Sequence, residues 1–155
     1  MMRNAKKLWE SIDAERVRRA IAAAERASTG EVRVSIAPYF WGSVRASAER
    51  TFVRLGMTQT RQRNGVLFFL VPSRRRFVVL GDAGIHALVG QAFWDSVVAA
   101  TSERFHAGDF TGGLVEAIER VAAKLSEHFP GTGAADVNEL PDQIDFGRRA
   151  VAPPA

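Results

Sequence analysis

The sequence predicts an α/β protein built on a small mixed β-sheet, and three observations carry that prediction. Gly65-Val66-Leu67-Phe68-Phe69-Leu70-Val71 is a short apolar run bounded by Asn-Gly and Pro-Ser, the pattern of a strand buried on both faces. A second run, Arg76 to Leu80, follows after only Pro72 to Arg75, so it must fold back antiparallel and return Gly81-Asp82 to the end where Asn64-Gly65 began. Upstream, Glu31-Val32-Arg33-Val34-Ser35-Ile36-Ala37 alternates polar and apolar residues and is separated from the central run by a helical pattern. A strand-helix-strand unit of this kind makes a crossover between parallel strands.

The elements follow in order. Val17, Ile21 and Ala24 recur at helical spacing, with Asp13 placed to cap the helix and Gly30 placed to stop it. The alternating strand from Glu31 is expected to keep one face exposed and to flank the central strand. Ser43 is placed to cap a second helix, with Val44, Ala48, Phe52 and Leu55 on one face before Gly56. After Gly81-Asp82-Ala83-Gly84 come a short helical turn around Ile85 to Val89 and a helix carrying Phe93, Trp94, Val97, Val98 and Phe105. The last helix begins after Gly108-Asp109-Phe110-Thr111, with Thr111 read as its cap, and shows Leu114, Ile118, Val121, Leu125 and Phe129 at helical intervals. It is expected to cover the sheet.

With 155 residues, 46% of them hydrophobic, the chain has the size and apolar content of one domain. The expected organisation is a basic N-terminal extension over 1–12, the folded domain over 13–130 and a C-terminal tail over 131–155 of loop-like composition. The absence of cysteine excludes disulfides, thiolate nucleophiles and cysteine-ligated metals. No apolar run reaches bilayer-spanning length, and no apolar segment follows the basic residues at the N-terminus. A cytoplasmic protein is expected. The net charge is +4, yet the basic residues are scattered among Glu and Asp rather than gathered in a stripe, which argues against specific nucleic-acid binding. Neither a dinucleotide fingerprint nor a phosphate-binding loop with Gly-Lys-Ser or Gly-Lys-Thr occurs, and no nucleotide or redox cofactor is expected.

Strand directions sort the remaining polar residues to two ends of the sheet. At one end Glu31, Asn64 and Asp82 offer oxygen ligands suited to a hard cation, Ca²⁺ or Mg²⁺, and Asp109 in another glycine-flanked loop is a fourth candidate. The same Asp-Gly chemistry also serves ordinary turns and helix caps. At the other end Tyr39, Phe40 and Trp41 form an aromatic loop beside Arg74 and Arg75, read either as packing or as a surface for a protein partner or an anionic membrane face. His86, His106 and His128 lack ligand spacing.

Taken in order, Ser28-Thr29-Gly30-Glu31-Val32, Asn64-Gly65-Val66-Leu67, Gly81-Asp82-Ala83-Gly84-Ile85 and Phe105-His106-Ala107-Gly108-Asp109-Phe110-Thr111-Gly112-Gly113-Leu114 resemble the TPM-domain family. Asn138-Glu139-Leu140-Pro141-Asp142 resembles the tail of a short bacterial branch. The resemblance implies a three-layer α/β/α sandwich with a mixed central sheet. Its thylakoid relatives are associated with photosystem repair, calcium binding and acid-phosphatase activity, and its animal relatives act as auxiliary subunits of ion channels. For this chain it implies an accessory interaction module, with a divalent cation at Glu31, Asn64, Asp82 and Asp109, and a membrane-anchored TPM-domain or LemA-type protein as partner at the periphery of the inner membrane. The alternative is a metal-dependent acid phosphatase with Arg63 contacting the phosphate. The family's Gly-Tyr-Gly-type segment with its following Asp is replaced here by Gly81-Asp82-Ala83-Gly84, and this favours the accessory role.

Overall fold

Leu67, Phe69 and Val71 face one way along the central strand and Val66, Phe68 and Leu70 the other. All six are buried, so the strand needs a covering layer on each side. A computed structural model, describing residues 12–131 and 144–146, supplies both layers. The elements are α1 (Ala14–Ala27), β1 (Glu31–Ile36), α2 (Val44–Arg54), β2 (Gly65–Val71), β3 (Arg76–Gly81), α3 (Ala83–Val89), α4 (Gln91–His106) and α5 (Phe110–His128), with single 3₁₀ turns at Met57–Gln59 and Pro72–Arg74. The sheet order is β1-β2-β3. β1 pairs parallel to β2 with Val32 opposite Val66, and β3 pairs antiparallel with Val66 opposite Gly81, as the connection lengths predict.

The larger apolar cluster joins Val32, Val34, Ile36, Val66, Phe68, Leu70 and Val79 to Val17 and Ile21 of α1, Trp94 and Val97 of α4, and Leu114, Ile118, Val121 and Leu125 of α5. On the opposite face Val44, Ala48 and Phe52 of α2, with Met57, cover Leu67, Phe69, Val71 and Leu80. The α/β/α sandwich thus follows from the two-sided burial of β2.

Three local expectations are corrected. β1 exposes no face: Glu31, Arg33 and Ser35, read as its wet side, are buried. Part of the cover is remote in sequence, since Asp145 receives a hydrogen bond from Ser35 Oγ at 2.8 Å. Gly30 does not end α1. The helix stops at Ala27 with Ser28 extended, Ser28 Oγ donating to the Ala24 carbonyl at 2.9 Å, while Gly30 gives room to Leu125, whose Cδ2 would lie 2.7 Å from any added Cβ. The cap of α5 is Asp109, which accepts from Gly112 N at 2.9 Å. Thr111 accepts instead from Asp13 N at 3.0 Å, joining the first turn of α5 to the start of α1. The expected 1–12 extension, apart from Ile12, lies outside the described residues, as does the tail apart from Gly131 and 144–146.

Asp109 is doubly engaged, because Arg104 Nη1 donates to its other oxygen at 2.6 Å and Arg104 Nη2 reaches Glu116 at 2.7 Å. The Arg104 hydrogen bond, with the Gly112 N–H, lowers the Asp109 pKa below the usual carboxylate range. A depressed folded-state pKa contributes stability that is present above the unfolded value, near 3.9, and lost as pH falls through the folded one. The urea midpoint of Asp109→Asn is therefore expected to vary less than wild type between about pH 5 and pH 2. Parallel curves for the two proteins would refute this role.

Gly84 sits against the β2 approach, and a Cβ there would collide with the carbonyl oxygens of Gln62 and Arg63, 2.7 Å from the latter. Both are backbone atoms that cannot rotate away. Gly84→Ala is expected to destabilise by about 1–3 kcal/mol, read as a lowered Tm with unchanged circular dichroism at low temperature. An unchanged Tm would show that this loop yields freely.

Candidate functional site

The two sheet ends differ in chemistry. At the end formed by the start of β1, the start of β2 and the exit of β3, the turn before β2 places Arg63 in the left-handed region at φ 51°. That conformation is costly for a side chain larger than glycine, and three contacts hold it. The Arg63 carbonyl accepts from Gly84 N at 2.8 Å and Ile85 N at 3.3 Å, and its guanidinium binds Asp82 through Nε at 2.6 Å and Nη2 at 2.9 Å. The ion pair raises the Arg63 pKa further. Asp82 also accepts from Ala83 N at 2.8 Å, capping α3, and its own N–H donates to Gly65 O at 2.9 Å.

Beside this pair lies a buried polar group. Asn64 is only 1% exposed; its N–H donates to Thr60 Oγ1 at 3.3 Å and its Nδ2 to Thr29 Oγ1 at 3.1 Å. Thr29 in turn donates to Gln62 Oε1. Asn64 Oδ1 is buried without a hydrogen-bond partner, unusual for a polar atom inside a protein. Glu31, paired across the sheet with Gly65, is buried at the same end. Glu31, Asn64, Asp82 and Arg63 thus lie at one end of the sheet, with Arg63 and Asp82 in direct contact.

Asp109 does not join them. Its neighbours Gly108 and Phe110 line a cavity of about 370 Å³ with Pro72, Arg76, Phe77 and His106, at the other end of β3. The five residue steps from Phe77 to Asp82 span about 16 Å. Among the described residues no group of three or more His, Asp or Glu side chains converges as a metal site. His86 is not a ligand candidate in this arrangement, since its Nδ1 accepts from Trp94 Nε1 at 3.0 Å.

The aromatic end is built differently. Trp41 is 72% exposed and Tyr39 54%, with their rings edge to face at 5.6 Å, whereas Phe40 is partly covered by the α2-side core. Arg74 lies over the Phe40 ring at 5.9 Å, and Ser73 Oγ donates to Pro38 O at 2.9 Å, fixing the 3₁₀ turn to the loop. Arg75, left-handed at φ 53° and exposed, follows in the same turn and lines the cavity beside Arg76 and Phe77. The loop backbone is pinned by residues that sequence reading passed over. Ser47 Oγ accepts from Trp41 N and donates to Trp41 O, both at 3.1 Å, and Arg50 Nη2 reaches the same carbonyl at 3.1 Å. Their spacing from Ser43 along α2 was the available signal.

Comparisons with known proteins agree with this architecture. Among curated proteins none matches. The chain resembles the solution structure of the BA42 protein from the psychrophilic bacterium Bizionia argentinensis, at 34% identity and a TM-score of 0.79 over 88% of this chain and 95% of that one. Two further likenesses are to the fold alone: the N-terminal domain of the cg2496 protein of Corynebacterium glutamicum (17% identity, TM-score 0.57, 72% of this chain and 70% of that one), and the N-terminal domain of a P. gingivalis protein (19%, 0.57, 71% and 73%). With the family model of the TPM domain matching residues 4–124, the chain belongs to the TPM-domain family.

Proposed function

We propose that the protein is a non-catalytic accessory module whose working surface is the Tyr39-Phe40-Trp41 loop with Arg74 and Arg75. The observation that carries this reading is Trp41: a large apolar ring left open to solvent on a backbone held by Ser47 and Arg50. A preorganised aromatic anchor loses little conformational freedom on binding, and Trp, Tyr and Arg dominate the energetic centres of protein interfaces. No described helix is long and apolar enough to cross a membrane. The fitting partner is a membrane-anchored TPM-domain or LemA-type protein, met at the cytoplasmic face of the inner membrane.

A second reading, divalent-cation binding at the opposite end, is favoured by the orphan Asn64 Oδ1. Asn64, Glu31 and Asp82 offer the oxygen donors that Ca²⁺ or Mg²⁺ accepts, with Asp82 exchanging its Arg63 partner for the ion. The phosphatase alternative asks more. It needs Asp82 and Asp109 on one cation and Arg63 free for phosphate, whereas the two carboxylates lie at opposite sheet ends and Arg63 is paired. The accessory reading therefore ranks first.

Trp41→Ala is expected to keep the wild-type Tm and weaken binding of a purified LemA-type soluble domain from the same genome by at least about tenfold. Equal affinity for the two proteins would reject the aromatic loop as the interface. Calorimetric titration with Ca²⁺ and Mg²⁺ is expected to give saturable heat in wild type that Asn64→Ala and Asp82→Asn each lose. Absence of heat at millimolar cation would remove the ion from this function.

A further inference from the structure

β1 is an edge strand, and a bare edge offers unpaired N–H and C=O groups to any extended chain. Two agents divide its outer side. Near its start the Glu25 carboxylate accepts from Val32 N at 2.9 Å. Near its end Asp145 stands where a neighbouring strand would: its N–H donates to Val34 O at 2.9 Å and its carbonyl accepts from Ile36 N at 2.8 Å, a parallel bridge opposite Ser35. Side chains add selectivity to this backbone pairing. Ile144 is buried in the same apolar cluster as Val34 and Ile36, and the Asp145 carboxylate accepts from Ser35 Oγ at 2.8 Å and from Arg54 Nη1 and Nη2 at 3.3 and 2.9 Å. Main-chain bonds to a sheet edge with pockets for successive side chains are the chemistry of peptide recognition by strand addition.

We propose that the outer edge of β1, with Arg54 and Ser35, is a docking site for an extended partner peptide carrying an apolar residue followed by Asp, and that Ile144–Phe146 is its resident, exchangeable occupant. Among the described residues the resident pairs with β1 through one bridge, and twelve residues, 132–143, separate it in sequence from Gly131. Pairing at a sheet edge opens at lower cost than the central strand, which is bonded on both sides. Tethering holds the resident at an effective concentration of millimolar order, so only a partner that outcompetes it enters. The site adjoins the aromatic loop: Ser47, Arg50 and Arg54 occupy one stripe of α2, the first two holding Trp41 and the third holding Asp145.

Hydrogen exchange on the wild-type chain tests whether the occupant leaves. Ile36 N–H is bonded to Asp145 and the adjacent Ala37 N–H to Leu70 O at 2.8 Å, so Ile36 is expected to exchange at least about tenfold faster than Ala37 under native conditions. Equal protection of the two amides would overturn exchangeability. Full-length Asp145→Arg, which sets two cations against each other at Arg54, is then titrated with a synthetic peptide of residues 141–148. Saturable binding at least about tenfold tighter than to wild type is expected, and none for the peptide bearing Asp→Arg at the position of Asp145. A folded variant that does not bind the peptide, or that binds both peptides alike, would overturn the proposal. Should that variant fail to fold, Arg54→Asp with Asp145→Arg restores the ion pair in reverse. In that chain the charge-reversed peptide is expected to compete and the native one is not, and the opposite preference would equally overturn it.

Discussion

β2 carries a run of seven buried residues, and a strand without a polar face can exist only between two covering layers. The remaining topology serves that requirement. α1, α4 and α5 close one side and α2 the other, while β1 and β3 satisfy the backbone groups along both its edges. Because β1 runs with β2 and β3 against it, two strand starts and one strand exit meet at a single end. Glu31, Asn64 and Asp82 share that end because of these strand directions.

Strand order and direction were legible because connection lengths leave few choices: four residues between β2 and β3 enforce a hairpin, and an intervening helix enforces a parallel return. What the sequence did not show were contacts made across long separations. Glu31, Arg33 and Ser35 have the alternation of a wet strand face, and nothing local announces that Asp145, 110 residues from Ser35, will cover part of it. Thr111 has the chemistry of a cap, yet Asp109 precedes the helix at better spacing and leaves Thr111 to Asp13. Asp109 itself was grouped with Asp82 by glycine-flanked composition. The sixteen residues of α4 rise about 24 Å, enough to carry the chain from one end of the sheet to the other, and that displacement separates the two carboxylates.

The aromatic loop illustrates the converse. Tyr39, Phe40 and Trp41 were visible as an unusual composition, but packing and presentation could not be distinguished until each ring had its own environment. Phe40 turns into the α2-side core beneath Arg74, and Tyr39 and Trp41 turn out. One aromatic triplet therefore performs both roles, the inward ring fixing the loop from which the outward rings project.

A common rule governs the acidic residues at the chain's turns. Asp82 is held by Arg63, Asp109 by Arg104 and Asp145 by Arg54, each through two hydrogen bonds or alongside a second acceptor on the same arginine. Hydrogen bonds between a guanidinium and a carboxylate fix geometry as well as charge, so each pair holds the turn in which its carboxylate sits. A divalent ion entering at Asn64 would have to draw Asp82 away from Arg63, coupling its arrival to the turn that Arg63 holds in left-handed form. Such an ion would reshape the start of β2, the strand on which both layers rest.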